Sequence, residues 1–278
     1  MSAGGRFAGR RAVVTGASRG IGAGIAQRLA AEGAAVAIVA RTVDAHPTLP
    51  GSLTETAELL RGYGNPVAVI AADLADGDDR ARIVPEAAEQ LGGPLDILVN
   101  NAAAAMYAQP SEMPLKRRRI TYEVNAHAPL DLAQAALPAM LERGEGWIVN
   151  VSSRSAEHAP GPPFEHQGLA ATIGLYGSSK AALNRETNAL AHELWGRGIR
   201  VNTVEPRAAV MSEGAEILAG HVIREDQKES MEEMVEAAVY LCDCDPETTG
   251  QVFVSLDLIA DRSVTVMTLD GTGPWSKG

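Results

Sequence analysis

Thr15-Gly16-Ala17-Ser18-Arg19-Gly20-Ile21-Gly22 stands between a short apolar run, RAVVT at 11–15, and a helical stretch, 21–32, closed by Gly33. Glycines in such a turn let the backbone fold tightly and approach a ligand, and the helix beyond it presents unpaired N–H groups to an anion. The spacing is TGxxxGxG, not GxGxxG. By itself it specifies only a tight turn; a strand before and a helix after give it the context of a pyrophosphate-binding turn. We therefore expect Gly16, Ser18, Arg19, Gly20, Ile21 and Gly22 to hold the diphosphate of a dinucleotide.

Outward from this turn the chain alternates. AVAIVA at 35–40, PVAVIA at 66–71 and LDILVN at 95–100 are almost continuously apolar, as strands covered on both faces must be. Helical stretches separate them at 53–63 and 78–91, and the alternation resumes with strands at 147–152, 199–205 and 251–255. The expected fold is α/β: one Rossmann-type, doubly wound domain with a seven-stranded parallel sheet and helices on both faces. We take 1–278 as a single domain with its core at about 8–257, an inserted loop at 154–175 and a tail at 258–278. Ligands of such sheets bind beyond the carboxyl ends of the strands, which directs attention to Gly16–Gly22 and to the residues after Ala40, Asn100, Ser153 and Glu205.

Composition narrows the function classes. A formal charge of −11 repels nucleic acid and anionic membranes alike, so the basic run Lys116–Arg119 reads as a solvated helix start. No signal-like leader or membrane-length apolar segment is present, and a cytoplasmic protein is expected. Cys242 and Cys244 read as reduced thiols near a helix end, with no metal site implied.

The end of the second strand discriminates between nicotinamide cofactors, because a carboxylate there pairs with a ribose 2′-hydroxyl whereas arginine accommodates a 2′-phosphate. Here it reads Ala40-Arg41-Thr42, and Arg19 projects from the turn itself, so NADP(H) is expected. Asp44 is the counter-candidate, placed in the loop that follows. Further along, Tyr176 and Lys180 are four residues apart in a predicted helix and so share a face. A phenol near pKa 10 is a poor acid–base group at neutral pH, and a neighbouring ammonium favours its anion. Ser153, at the end of the fifth strand, is placed to hold a substrate oxygen. Asn125 precedes Pro129 by four residues in a helical stretch; proline has no N–H to give its carbonyl, so a local helix defect is expected there.

TGASRGIG at 15–22, NNAA at 100–103, Asn125, VSS at 151–153, YGSSK at 176–180 and IRVNTVEP at 199–206 together resemble the short-chain dehydrogenase/reductase family over about 8–257. The resemblance implies an oxidoreductase moving a hydride between nicotinamide and a carbonyl or alcohol carbon of a small molecule. Tyr176 would be general acid–base, Ser153 the substrate-oxygen anchor, Lys180 the ribose contact and Asn125 the holder of a proton-relay water. It further implies cofactor contacts from Asp73, Leu74, Asn101, Ala102, Ala103, Pro206 and Ala209, and a homo-oligomer, often a tetramer.

The sequence departs from the family at Ala103, at Arg207 in place of the glycine after Pro206, and at Met211 and Ser212 where relatives offer a threonine. Arg207 would place a positive charge near the nicotinamide or substrate. These changes keep open a non-catalytic NADP(H)-binding protein, against which the joint retention of Asn125, Ser153, Tyr176 and Lys180 argues. The stretch from Ser153 to Tyr176 is longer than usual and should form a substrate-facing wall or lid, with Phe164 as an apolar contact.

Overall fold

The computed structural model describes residues 5–44, 49–164, 171–210 and 228–277. Seven parallel strands form the central sheet: β1 (Arg11–Thr15), β2 (Ala35–Ala40), β3 (Val67–Ala71), β4 (Ile97–Asn100), β5 (Gly146–Val151), β6 (Ile199–Glu205) and β9 (Val252–Val254). Their order is β3-β2-β1-β4-β5-β6-β9. The chain thus winds from β1 to one edge, returns beside β1 as β4, and winds to the other. The two halves part between β1 and β4, leaving the crevice in which such sheets bind ligands. A small parallel pair, β7 (Ala209–Val210) and β8 (Lys228–Glu229), stands apart from it.

The helices are α1 (Gly20–Ala31), α2 (Leu53–Arg61), α3 (Gly77–Gln90), α4 (Leu115–Tyr122), α5 (Ala128–Arg143), α6 (Gly174–Glu193), α7 (Met231–Leu241) and α8 (Ser255–Asp261). Two apolar cores result, one per sheet face. On one side Ile25 and Leu29 of α1, Leu60 of α2 and Val235 and Val239 of α7 pack on Val14, Ile38 and Val149. On the other, Ile83 and Ala87 of α3, Leu132 and Ala136 of α5 and Ala191 of α6 pack on Val13, Leu98 and Ile148. Alternate strand residues face opposite ways, so strands covered on both sides need apolar residues throughout.

Polar residues register α6 on the sheet. Asn100 Nδ2 donates to Asn150 Oδ1 at 2.9 Å, and Asn150 Nδ2 donates to Thr187 Oγ1 at 2.8 Å. Thr203 Oγ1 reaches the same Thr187 oxygen at 3.1 Å. Apolar packing alone tolerates sliding; directional bonds between buried side chains do not. This ladder fixes the rotation and height of the helix that carries Tyr176 and Lys180.

The run α4–α5 contains the expected defect. Glu123–His127 form a π-turn, and the Ala128 N–H bonds five residues back to the Glu123 carbonyl. It lies directly before Pro129, whose missing N–H leaves the ordinary i→i−4 bond to Asn125 unmade. Lys116–Arg119 are exposed on α4, as a solvated helix start requires. Cys242 and Cys244 are free and buried where α7 ends; burial pushes the Cys244 thiol up to about 12 and Cys242 higher still.

The tail does more than extend the chain. Arg28 of α1, only 2% exposed, pairs with Glu32 at 2.5 Å and Glu236 of α7 at 2.9 Å. The Met267 N–H donates to the same Glu236 carboxylate at 3.0 Å, and Leu269 packs on the core beside them. Met267 and Pro274 form an antiparallel bridge that turns the tail back on itself.

Candidate active site

The cofactor turn is built from close backbone approaches. Gly16 and Gly20 adopt φ of +67° and +56°, in the left-handed region that favours glycine. A Cβ at Gly22 would lie 2.4 Å from both the Gly16 carbonyl oxygen and Asn101 Nδ2, so only glycine lets α1 start this near the end of β4. Thr15 Oγ1 accepts the N–H groups of Asn101 and Ala102 at 3.0 and 3.1 Å, while Asn101 Nδ2 donates to the Thr15 carbonyl at 2.9 Å. These bonds tie the ends of β1 and β4 across the crevice. No side chain caps the N-terminus of α1. Its first-turn N–H groups, ringed by glycine, fit a diphosphate.

Beyond β2, Arg41 is largely exposed, its guanidinium 3.9 Å from the Asp73 carboxylate. Thr42 begins the return to α2, its carbonyl accepting the Leu53 N–H at 3.1 Å. Arg19 donates to the Gly51 carbonyl at 3.0 Å, while its Nε is buried without a partner among the described residues. Asp44 accepts from Thr54 Oγ1 at 2.9 Å, which ties it to the start of α2, in the loop expected for it. Asp73 Oδ1 accepts the Ala75 N–H, and Leu74 is buried beside it, so both follow β3 at the same edge as Arg41. Ala102 is half-buried against the core and Ala103 is exposed.

Ser153, Tyr176 and Lys180 meet where β5 ends and α6 begins. A Cβ on Gly177 would sit 2.2 Å from the Ser155 carbonyl oxygen; glycine there lets the post-β5 turn press against α6. The turn is one of 3-10 type, Arg154–Ala156, capped by Ser153 Oγ accepting from the Ser155 N–H at 3.2 Å. Ser153 also hydrogen-bonds the Tyr176 side chain. Lys180, fully buried, donates to the Val151 carbonyl at 2.7 Å and lies 5.8 Å from the Tyr176 ring centre.

Asn125 is a hub for the same region. Its Oδ1 accepts the Ala104 N–H at 2.7 Å, and its Nδ2 donates to Ser179 Oγ at 2.9 Å and the Ala104 carbonyl at 3.2 Å. The side chain thereby clamps the post-β4 segment to α6, a role the backbone argument from Pro129 did not reveal.

Electrostatics here run opposite to the simplest expectation for Tyr176. Burial drives its phenol pKa upward, with Tyr107 adding to the rise and the Ser153 hydrogen bond opposing it. Burial likewise brings the Lys180 ammonium down to about 8. Desolvation disfavours the charged form of each. The phenol is thus held in its protonated form, and the ammonium is held well below the ordinary lysine range.

Tyr107 is the residue that the motifs did not single out. Its ring meets that of Tyr176 edge-on, centres 6.1 Å apart and planes at 77°. Ala108 N–H donates to the Thr172 carbonyl at 3.2 Å, holding this segment against the approach to α6. An aromatic shortly after the fourth strand was the available signal, but an irregular segment has no periodicity to say where its side chain points.

The departures resolve in part. Arg207 directs its guanidinium to Asp257 at the start of α8, so its charge is spent there instead of standing free beside a nicotinamide or substrate. Pro206 and Ala209, expected cofactor contacts, flank this turn and are half-buried. Met211 and Ser212 lie outside the described residues, as do Glu165 and His166 of the inserted loop. In the described part of that loop Arg154 pairs with Glu157 at 2.8 Å, and His158 and Phe164 are exposed.

A doubly wound parallel sheet with an uncapped glycine-rich turn after its first strand defines a Rossmann-type α/β protein. The chain belongs to the short chain dehydrogenase family, whose model matches residues 10–216. It is 31% identical over 260 residues to hydroxysteroid dehydrogenase-like protein 2 of Bos taurus, covering 94% of this chain and 60% of the relative. The chain therefore spans about three-fifths of the length of that curated relative. Among solved structures, a short chain dehydrogenase from Mycobacterium thermoresistibile superposes with a TM-score of 0.79 at 29% identity, covering 97% of this chain and 93% of that one. A 3-oxoacyl (acyl-carrier-protein) reductase from Agrobacterium tumefaciens with NADP bound gives 0.75 at 26% identity, covering 89% and 93%. Among the described residues no helix is long and apolar enough to cross a membrane, and no cluster of ligating side chains could hold a metal ion.

Proposed function

We propose that the chain is an NADP(H)-dependent oxidoreductase acting on the carbonyl or alcohol carbon of a small, apolar substrate. The observation that carries this reading is the convergence of Ser153, Tyr176 and buried Lys180 at the carboxyl end of β5, on the same sheet edge as the α1 turn. When bound, the nicotinamide supplies or takes up the hydride. Ser153 holds the substrate oxygen by its hydroxyl and polarises the carbonyl. Tyr176 gives that oxygen a proton in reduction and withdraws it in oxidation. Lys180 contacts the cofactor ribose and, as a cation 5.8 Å from the Tyr176 ring centre, lowers the cost of the phenolate once a proton has left. Asn125 sets the distance between the post-β4 segment and α6. Tyr107 lines the approach with an aromatic edge, which supports an apolar substrate.

The preference for NADP(H) over NAD(H) is supported by Arg41, exposed at the end of β2 with no carboxylate at the strand tip, and by Arg19 in the turn. The NADP-bound Agrobacterium relative supports the same choice.

The test is spectrophotometric: NADPH oxidation in the presence of a panel of apolar ketones, for the wild type and Tyr176→Phe. We expect turnover by the wild type and a loss of about 10²-fold or more in the variant, with NADPH binding retained. Equal turnover by both proteins would remove Tyr176 from the role of acid.

A further inference from the structure

Carboxylates are rarely buried without a reason, because leaving water costs several kcal/mol unless the charge is hydrogen-bonded. Glu229, at the end of β8, is only 3% exposed. It is not paired with a cation among the described residues. Its Oε2 instead accepts the Arg207 N–H at 2.8 Å and the Ala208 N–H at 3.5 Å, and the carboxylate shares a hydrogen bond with the Ser255 side chain. Oε1 is buried with no partner among the described residues.

The two N–H groups belong to the turn that leaves β6, the place where this sequence carries Pro206-Arg207 in place of proline-glycine. A glycine could take whatever shape the turn requires; arginine has a narrower choice. The shape is imposed here from outside. Besides Glu229, Ser255 Oγ accepts the Arg207 N–H at 3.3 Å, and Asp257 takes its guanidinium. The register of β7 on β8, Ala209 beside Lys228 and Val210 beside Glu229, brings the carboxylate back against the turn it braces.

We propose that Glu229 is a positioning residue for the nicotinamide half of the cofactor, fixing the 206–209 turn in the form that receives it. The inference rests on the reading above of Pro206 and Ala209 as cofactor contacts. Consecutive N–H groups directed at one anion form a rigid backbone nest, and here the anion is the protein's own. Burial raises the carboxyl pKa, while the hydrogen bonds from Ser255, Arg207 and Ala208 pull it back, as expected of an acid held by designed donors.

The experiment separates the two halves of the cofactor. Affinities for NADPH and for 2′,5′-ADP, which carries the adenosine and 2′-phosphate but no nicotinamide, are measured by calorimetry for the wild type, Glu229→Leu, Glu229→Gln and Ser255→Ala. We expect Glu229→Leu to weaken NADPH by about tenfold or more, with 2′,5′-ADP unchanged within about twofold. Glu229→Gln retains an acceptor oxygen and should recover most of the loss. Should Glu229→Leu fail to fold, Ser255→Ala carries the same test, with a smaller loss confined to NADPH. Equal loss of both ligands would make the role merely structural and overturn the inference, as would no loss of either. A wild type that binds 2′,5′-ADP but gains nothing from the nicotinamide overturns the positioning role alone. A wild type that binds neither overturns the cofactor reading with it.

Discussion

At the scale of single residues the site is governed by desolvation. Burial brings the Lys180 ammonium down to about 8, well below the ordinary lysine range. Folding lowers this pKa, so burial of the ammonium opposes folding below about pH 8, and the penalty fades as pH rises toward the unfolded value. For catalysis the sense is reversed, because the ammonium that steadies the phenolate is present below about pH 8 and lost above it. We expect kcat/KM for ketone reduction to decline as pH rises through this point. In Lys180→Ala that limb should vanish from the pH profile, and the optimum for alcohol oxidation should move upward because nothing cationic then favours phenolate. An unchanged profile would place the titration elsewhere. Arg41 makes a separate prediction. Among the described residues its guanidinium is held by one weak contact, to Asp73 at 3.9 Å, and it can turn to a 2′-phosphate. The wild type should bind NADPH at least about tenfold more tightly than NADH, and Arg41→Ala should erase most of the difference. Equal affinities in the wild type would reverse the cofactor choice.

Single elements show why the site needs small residues at specific points. The α1 turn can approach β4 because Gly22 has no side chain. Gly22→Ala would drive a methyl group into the Gly16 carbonyl and the Asn101 amide, both backbone or backbone-anchored, so neither can yield cheaply. We expect a loss of about 1–3 kcal/mol in stability, read from chemical denaturation, with NADPH affinity falling more steeply than the stability change explains. A variant that binds NADPH normally would show that the phosphates do not approach this turn. The π-turn at Glu123–His127 is a second such device, since it lets a proline sit inside a long helical run while Asn125 clamps Ala104 to Ser179.

Across the whole molecule, distant segments are joined by few but well-buried polar contacts. The Arg28–Glu236 pair, with side chains 2% and 3% exposed, joins α1 to α7, and the tail is bonded to both partners through the Thr268 carbonyl and the Met267 N–H. Glu236→Ala leaves the buried Arg28 guanidinium with Glu32 and takes the acceptor from the Met267 N–H, and should cost about 1–3 kcal/mol and lower the unfolding midpoint. Replacing both Arg28 and Glu236 by Met and Leu should return much of that loss, because it removes the buried charge along with its partner. If the single and double variants unfold alike, the charge left by the single substitution carries no penalty.

The strand–turn–helix order, the two-sided burial of the strands and the chemistry of TGASRGIG and YGSSK were legible because they are local. Period and spacing follow from backbone geometry, and the tyrosine and lysine share a helix face wherever that helix lies. The helix defect before Pro129 was legible for the same reason, as a missing N–H. What sequence could not give was any contact between segments far apart in the chain. Tyr107 against Tyr176, Glu229 under the turn after β6, Glu236 on Arg28 and Arg207 on Asp257 depend on how the sheet order and crossovers bring remote residues together. The direction of the Tyr176 shift belongs with them. Adjacency to a lysine is written in the sequence, but the loss of water that outweighs it exists only once β5, α6 and the post-β4 segment have closed around the phenol.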